Sequence, residues 1–435
     1  MTLNPLAVEL NEVIKAEAPG VFDMLSELGK RYYFPRGILS QSAEAKAKAK
    51  RFNATVGIAL EGHQAMHLDC IQQHLKSFDP KDLYPYAAPA GKPELRKAWR
   101  DKQLEENPRM REVELGAPVA TNALTHGLSL VGELFVDPGD TILLPDQIWG
   151  NYNLTYGVRC GASIEKFPFF EGEGINLEGF CEAVKRLSGT LDKLIVILNF
   201  PNNPTGYTPT PAEAEAIAAA LKAAADDCRI VAICDDAYFN LVYDDRCLTE
   251  SIFGYLAGQH ENLLAIRLDG ATKELFVWGF RVGFLTYAVT SGGDVGKVHE
   301  ALEKKTAGAI RGGISNSPHL SQTLVLAALN SPTCRQEQAA KCEVLRVRAI
   351  RAKEVLADPK YASAWEPYPF NSGYFMCLKL KSVDAETLRV HLLDQYGLGV
   401  IATSATDIRV AFSCLEVDQV ATVYEDIYKG VCDLS

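Results

Sequence analysis

Four stretches of this chain carry side chains whose types and order suit chemistry at one centre. In "RLDGATKELFVWGFRVGF", Lys273 follows a small hydroxyl, Thr272, and Arg281 stands eight positions further on. "NFPNNPTG" offers the amide of Asn203, "CDDAYF" offers Asp235, Asp236 and Tyr238, and "PDQIWGNY" offers the flat rings of Trp149 and Tyr152. A lysine amine can form a Schiff base with an aldehyde. A carboxylate can pair with a protonated pyridine nitrogen, and hydroxyl and amide donors can hold a phenolic oxygen. An aromatic can stack on a ring, and a guanidinium can clamp a phosphate in fork geometry. Each feature alone has a plainer reading: a solvated loop lysine, a Pro–Asn–Gly turn, an acid capping a helix.

The elements that must position these groups are visible in the alternation of the chain. "DTILLP", "KLIVILNF", "RIVAICDD", "LLAIRLDG" and "RVGFLTYAV" are short apolar runs, and helical periodicity spans Pro93 to about Asn107 and Pro211 to Asp226. Ile-, Leu- and Val-rich strands with helices between them imply a mostly parallel sheet covered on both faces, an α/β domain over residues 65–320. In such sheets the chemistry collects in loops beyond the carboxyl ends of the strands. Each group above sits in such a loop. Asp235 ends so apolar a strand that partial burial is expected, and a buried carboxylate needs a cation or several hydrogen bonds. From Ser321 to Leu356 the pattern reads as one long helical stretch, followed by short strands ("SGYFMCLKL", "GVIAT", "IRVAFS") and helices. A smaller α+β domain is therefore expected from residues 1–64 together with 321–435.

Composition narrows the classes. The 435 residues carry 44 basic and 55 acidic side chains, a net charge of -11 that disfavours nucleic acid and anionic membranes as partners. No apolar run approaches the length of a spanning helix, and the acidic start lacks the pattern of a secretion signal. Eleven cysteines without a C-x-x-C pair suit reduced thiols in a cytoplasmic protein.

Taken together, the four stretches supply what pyridoxal 5'-phosphate requires. "PNNPTG", "DDAY" and "TKELFVWGFRVG" resemble the signature segments of the class I/II aminotransferases, pyridoxal-phosphate enzymes of fold type I. The resemblance runs over nearly the whole chain, since "YPYAAPAGKPELRKAW", "DPGDTILLP", "NSGYF" and "DIRVAFS" fall in the family's order. "VATNALTHGLSLVGELF" and "LDGATKE" are similar to a bacterial subgroup of aspartate or aromatic-amino-acid aminotransferases. The resemblance implies a mostly parallel seven-stranded-type sheet, and Lys273 as Schiff-base lysine and proton shuttle. It makes Asp235 the partner of the pyridine nitrogen, and Tyr238 and Asn203 donors to the ring oxygen. Arg281 would hold the phosphate with backbone N–H groups around Leu124 and Thr125 at a helix start, and Trp149 would stack on the ring. Arg409 would bind the substrate α-carboxylate, and Gly37 would belong to a roof over it. Tyr86 resembles the tyrosine that reaches the neighbouring subunit's phosphate, implying a homodimer with shared sites. The implied reaction is a ping-pong exchange of an amino group between an L-amino acid, aspartate or aromatic, and a 2-oxo acid such as 2-oxoglutarate.

Two positions depart from the family. Gly270 stands where a serine or threonine is common, so a phosphate hydroxyl is missing unless Thr272 or Thr125 supplies one; Ala123 stands where the phosphate loop usually opens with glycine. A β-lyase or decarboxylase on the same fold would share every residue named. A ligand-sensing regulator would need a basic winged-helix module, which this sequence does not show. His63 and His67, four apart, lack a third ligand for a metal, and no metal is expected; "SGGDVGK" fails as a phosphate loop at Ser291 and Val298.

Overall fold

The computed structural model describes residues 3–17, 38–55, 57–62, 64–76 and 78–435. Its centre is a seven-stranded sheet of β1 (Val119–Thr121), β2 (Thr141–Pro145), β3 (Ser163–Phe167), β4 (Lys193–Asn199), β5 (Arg229–Asp235), β6 (Leu263–Gly270) and β7 (Gly283–Ala288), in the order β1-β7-β6-β5-β4-β2-β3. All pairings are parallel except those of β7, which runs against both β6 and β1. The expected α/β class and mostly parallel sheet are present. Side-chain alternation divides β5 between two cores: Val231 and Ile233 pack on one face, Ile230, Ala232 and Cys234 on the other. Burial on both faces is why these strands read as unbroken apolar runs.

The principal helices are α1 (Pro93–Glu106), α2 (Ala123–Phe135), α3 (Leu177–Ser188), α4 (Pro211–Ala224), α5 (Val295–Gly313), α6 (His319–Leu329), α7 (Cys334–Leu356) and α8 (Val420–Leu434). At the start of α4, Thr210 Oγ1 accepts from the Glu213 N–H at 3.2 Å, and the Glu213 carboxylate accepts from the Thr210 N–H at 2.7 Å. Pro211 at the first helical position completes a reciprocal cap.

A second sheet, β8 (Trp365–Pro367), β9 (Met376–Leu380), β10 (Ile401–Ala402) and β11 (Asp407–Val410), is antiparallel with order β8-β9-β11-β10. With α8 it encloses a third core around Leu378, Val410, Val423 and Ile427. Phe52–Asn53 pairs with Leu398–Gly399 beside it.

Two details differ from the sequence reading. The stretch from 321 to 356 is two helices, because Pro332 between α6 and α7 has no N–H for the helical ladder. The outer strands β1 and β3 were not anticipated: β1 has three residues, and "SIEKF" mixes charge with apolar residues. Just before His67 the chain forms an antiparallel pair, Leu60–Glu61 with Gln64–Ala65. His63 lies outside the described residues. "SGGDVGK" leads into α5, where Asp294 caps the helix by accepting from the Lys297 N–H at 3.1 Å.

Candidate active site

The carboxyl ends of β4 and β5 are flush, Asn199 pairing with Asp235, and β6 runs two residues beyond Leu268, the partner of Asp235. The loops beyond them, with those after β1 and β2, open onto a cavity of about 420 Å³. Leu124, Thr125, Trp149, Asn203, Asp235, Tyr238, Thr272, Lys273, Arg281 and Arg409 all line it, joined by Gly57, Ile58, Tyr152, Trp278 and Phe375. Tyr86, also singled out in the sequence, is not among the residues that line it. Tyr86 is 89% exposed on the surface of the single chain, and Gly37 lies outside the described residues.

Asp235 is 2% exposed. Its Oδ2 accepts from the Tyr152 hydroxyl at 2.6 Å and its Oδ1 from the Ala237 N–H at 3.2 Å. Among the described residues it has no ion pair. Burial raises its pKa above the ordinary carboxylate range, against the pull of the Tyr152 hydroxyl and of Lys273. Such a group gains from a cation placed on its free lone pairs. Tyr152, read from sequence only as a flat face, is thus the main hydrogen-bond donor to the central acid. The segment after it, Asn153–Cys160, is a π-helix, a winding enriched at functional sites.

The Lys273 amine sits 4.8 Å from the centre of the Tyr238 ring. Burial lowers its pKa from 10.5 to about 8; Asp235 opposes that shift and Arg281 adds to it. Across the cavity, Arg409 lies 4.0 Å over the Phe375 ring, donating to Asn203 Oδ1 at 3.0 Å and to the Thr55 carbonyl at 3.1 Å. Because Asn203 Oδ1 accepts from Arg409, its NH₂ is left to donate. Arg409 Nε is buried without a partner.

Groups suited to an anion also line the cavity. α2 begins at Ala123, so the first-turn N–H groups there lack intrahelical acceptors and suit an anion. Ala123 has φ +62°, a left-handed conformation that favours glycine, which accounts physically for the glycine common at this position. Gly283 lets this turn approach, since a Cβ there would stand 2.9 Å from Ala123 Cα. A side chain at Gly270 would fare no better, its Cβ falling 2.7 Å from both Gly283 Cα and the Val282 carbonyl oxygen. The hydroxyl common in the family therefore has no room at 270. Thr272 Oγ1, meanwhile, is buried, lines the cavity and has no hydrogen-bond partner. Arg281 is half-buried, and the one hydrogen bond of its guanidinium found here goes to the Trp278 carbonyl at 3.2 Å. His126 accepts from the Asn122 N–H at 3.0 Å and so caps the same turn, a structural role.

These orphaned donors, the unpaired carboxylate and the lowered amine fit a phosphorylated pyridine aldehyde. Among the described residues no group of three metal-binding side chains occurs, and no helix is long and apolar enough to cross a membrane.

The fold has solved counterparts: an aminotransferase from Anaerococcus prevotii is 22% identical, with a TM-score of 0.81 over 91% of this chain and 96% of that one. Residues 55–427 match the model of the family "Aminotransferase class I and II", and the chain belongs to that family. Its members depend on pyridoxal phosphate. An aspartate/prephenate aminotransferase of Thermus thermophilus is 29% identical over 202 residues, 46% of this chain and 47% of that protein. A histidinol-phosphate aminotransferase of Caldanaerobacter subterraneus is 32% identical over 165 residues, 38% of this chain and 40% of its own. The chain thus spans about half the length of the curated relatives it matches first.

Proposed function

We propose that this protein is a pyridoxal-phosphate-dependent aminotransferase that takes an L-amino acid, aspartate or aromatic, as donor and a 2-oxo acid such as 2-oxoglutarate as acceptor. One observation carries the reading: a partly buried amine, a buried carboxylate and a buried guanidinium, Lys273, Asp235 and Arg409, line one cavity. Bound pyridoxal phosphate supplies a reactive aldehyde and a ring that withdraws electrons. Asp235, oriented by Tyr152, holds the ring nitrogen in its protonated form. The Tyr238 hydroxyl and the Asn203 NH₂ hold the ring oxygen, and Trp149 covers the ring. Arg281, the N–H groups of Leu124 and Thr125, and Thr272 Oγ1 hold the phosphate. Arg409 fixes the substrate α-carboxylate, which aims the α-C–H at Lys273. The Lys273 amine would take that proton and hold it for return, and the same side chains would serve the second substrate.

The cavity wall supports the aromatic branch of the donor reading. Ile58, Trp149, Trp278 and Phe375 present apolar surface, and Lys273, Arg281 and Arg409 are its only cations among the described residues. The eleven free cysteines suit a reducing, cytoplasmic setting. Tyr86, exposed in one chain, suits a homodimer in which it serves the partner's phosphate.

The test is the visible spectrum of the purified protein with L-phenylalanine, L-tyrosine and L-aspartate added separately, without acceptor. Bleaching with release of one 2-oxo acid per site is expected, strongest for the aromatic donors. Release of ammonia or carbon dioxide instead would point to a lyase or decarboxylase. Absence of cofactor absorbance, unrestored by added pyridoxal phosphate, would refute the reading.

A further inference from the structure

Trp99, Lys102, Gln103 and Glu106 occupy one face of α1, at the i, i+3, i+4, i+7 spacing where a core-facing helix ordinarily places apolar residues. This face is packed against the ends of the strands that carry the site. Lys102 Nζ reaches Glu274 Oε2 and Glu106 Oε2, each at 2.5 Å. Trp99 Nε1 and Gln103 Nε2 donate to Asp269 Oδ2 at 3.1 and 3.0 Å. Arg267 Nε donates to Asp236 Oδ2 at 2.6 Å and lies 3.5 Å from Asp269 Oδ2. Asp236 follows Asp235 in the chain and Glu274 follows Lys273, yet neither acid lines the cavity. Each of the two groups nearest the chemistry therefore has a charged neighbour anchored behind it.

Buried ion pairs are poor stabilisers, because apolar residues of similar volume usually hold two elements together at lower cost. What they supply is direction, through short hydrogen bonds of fixed geometry. Lys273 and Glu274 share a single helical turn, Ala271–Glu274, so holding the Glu274 carboxyl orients the Lys273 side chain as well. The turn is also tied at its start, where the Ala271 N–H donates to the Val282 carbonyl at 3.1 Å, and more loosely at the lysine itself by a 3.4 Å hydrogen bond from the Tyr374 hydroxyl to the Lys273 carbonyl. We propose that Glu274, clamped by Lys102, is a positioning residue that fixes the turn from which Lys273 reaches the cofactor, with Asp236, Arg267 and Asp269 bracing the strand ends beside it. The proposal rests on the reading of Lys273 given above.

The charges add a detail. Four carboxylates, Asp236, Asp269, Glu274 and Glu106, face two cations, Arg267 and Lys102. Glu274 is fully buried, and burial, together with the charges of Glu106 and Asp269, pushes its carboxyl up to about 8 against the pull of Lys102. Its Oε1 has no partner. A glutamine carbonyl at 274 can accept from Lys102 as the Glu274 carboxyl does, so glutamine keeps the clamp, whereas methionine removes the acceptor.

The experiment mixes cofactor-free protein with pyridoxal phosphate and follows the growth of visible absorbance, with the Tm of each variant measured in parallel. Glu274→Gln is expected within about threefold of the wild-type rate. Glu274→Met, and the double variant Lys102→Met/Glu274→Met, which removes both buried charges of this pair and leaves only the partly exposed Glu106 without its lysine, are expected to be slower by about tenfold or more. The double variant should keep a Tm near wild type and an unchanged donor KM, because Arg409 stands on another element. A double variant capturing cofactor at the wild-type rate would overturn the proposal, as would Glu274→Gln falling as far as Glu274→Met. Failure of the wild type itself to develop absorbance would instead refute the reading of Lys273, and this inference with it.

Discussion

Lys273 gathers its reactivity from where it is buried. Its amine is shifted from 10.5 to about 8, with burial as the largest cause. The folded chain therefore binds this proton less readily than the unfolded chain between those values. The lysine's unfavourable contribution to stability is full below about pH 8 and relieved as pH rises towards 10.5. The same shift supplies free amine at neutral pH. In cofactor-free protein, acetylation of Lys273 followed by mass spectrometry is expected to quicken by roughly tenfold per pH unit and to level off above about 8. Asp235 holds the amine's pKa up, so Asp235→Asn should move the midpoint to lower pH. A midpoint near that of an ordinary lysine, or one that moves upward in Asp235→Asn, would contradict this account.

At the scale of elements, the "NFPNNPTG" loop is fixed by one glycine. Gly206 has φ +75°, and a Cβ there would overlap the Phe375 carbonyl oxygen; its own carbonyl accepts from the N–H groups of Asn371 and Ser372, both at 2.9 Å. The loop holding Asn203 is thereby locked to the segment that carries Phe375 under Arg409. Gly206→Ala should cost about 2–4 kcal/mol, backbone strain plus overpacking, and weaken donor binding. Gly62→Ala is the control, since Gly62 has φ +55° with nothing within 4 Å of its Cβ, and should cost only about 1–2 kcal/mol of strain. Equal losses of stability in denaturant titrations would show that the close approach at Gly206 carries no energy. The sequence displayed this loop because Pro, Asn and Gly announce a turn, and it displayed β4, β5 and β6 because strands buried on both faces are written in apolar residues. It could not display contacts made across long separations. Tyr152 was legible as an aromatic, but its hydrogen bond to Asp235 spans 83 positions, and the bond from Arg409 to the Thr55 carbonyl spans 354. The polar face of α1 reads as a solvated helix until the strand ends it packs against are known. The lack of room at Gly270 depends on the antiparallel neighbour Gly283, which no local pattern reveals.

At the scale of the whole molecule, the ring of Tyr86, like that of nearby Tyr84 at 80%, is turned to the outside of one chain with 89% of its surface exposed. Two large aromatic side chains left so open are unusual on a finished surface and suit a second copy of the chain. A two-fold dimer makes the consequence testable, because each site would then draw Lys273 from one chain and Tyr86 from the other. Lys273→Ala homodimers should be inactive, and Tyr86→Ala homodimers should bind cofactor weakly. In a mixed dimer one site receives both defects and the other receives none. Unfolding and refolding the two variants together at equal amounts should therefore restore activity to about a quarter of the wild-type value, since about half the dimers are mixed and each has one intact site. Activity that stays at the sum of the two parent variants would place Tyr86 in the service of its own chain, or outside the site altogether. Tyr86→Phe separates the contributions further: it keeps the ring at the interface and removes only the hydroxyl. Cofactor affinity should then fall while the dimer persists in sedimentation, whereas loss of the dimer in Tyr86→Phe would assign the residue to assembly alone.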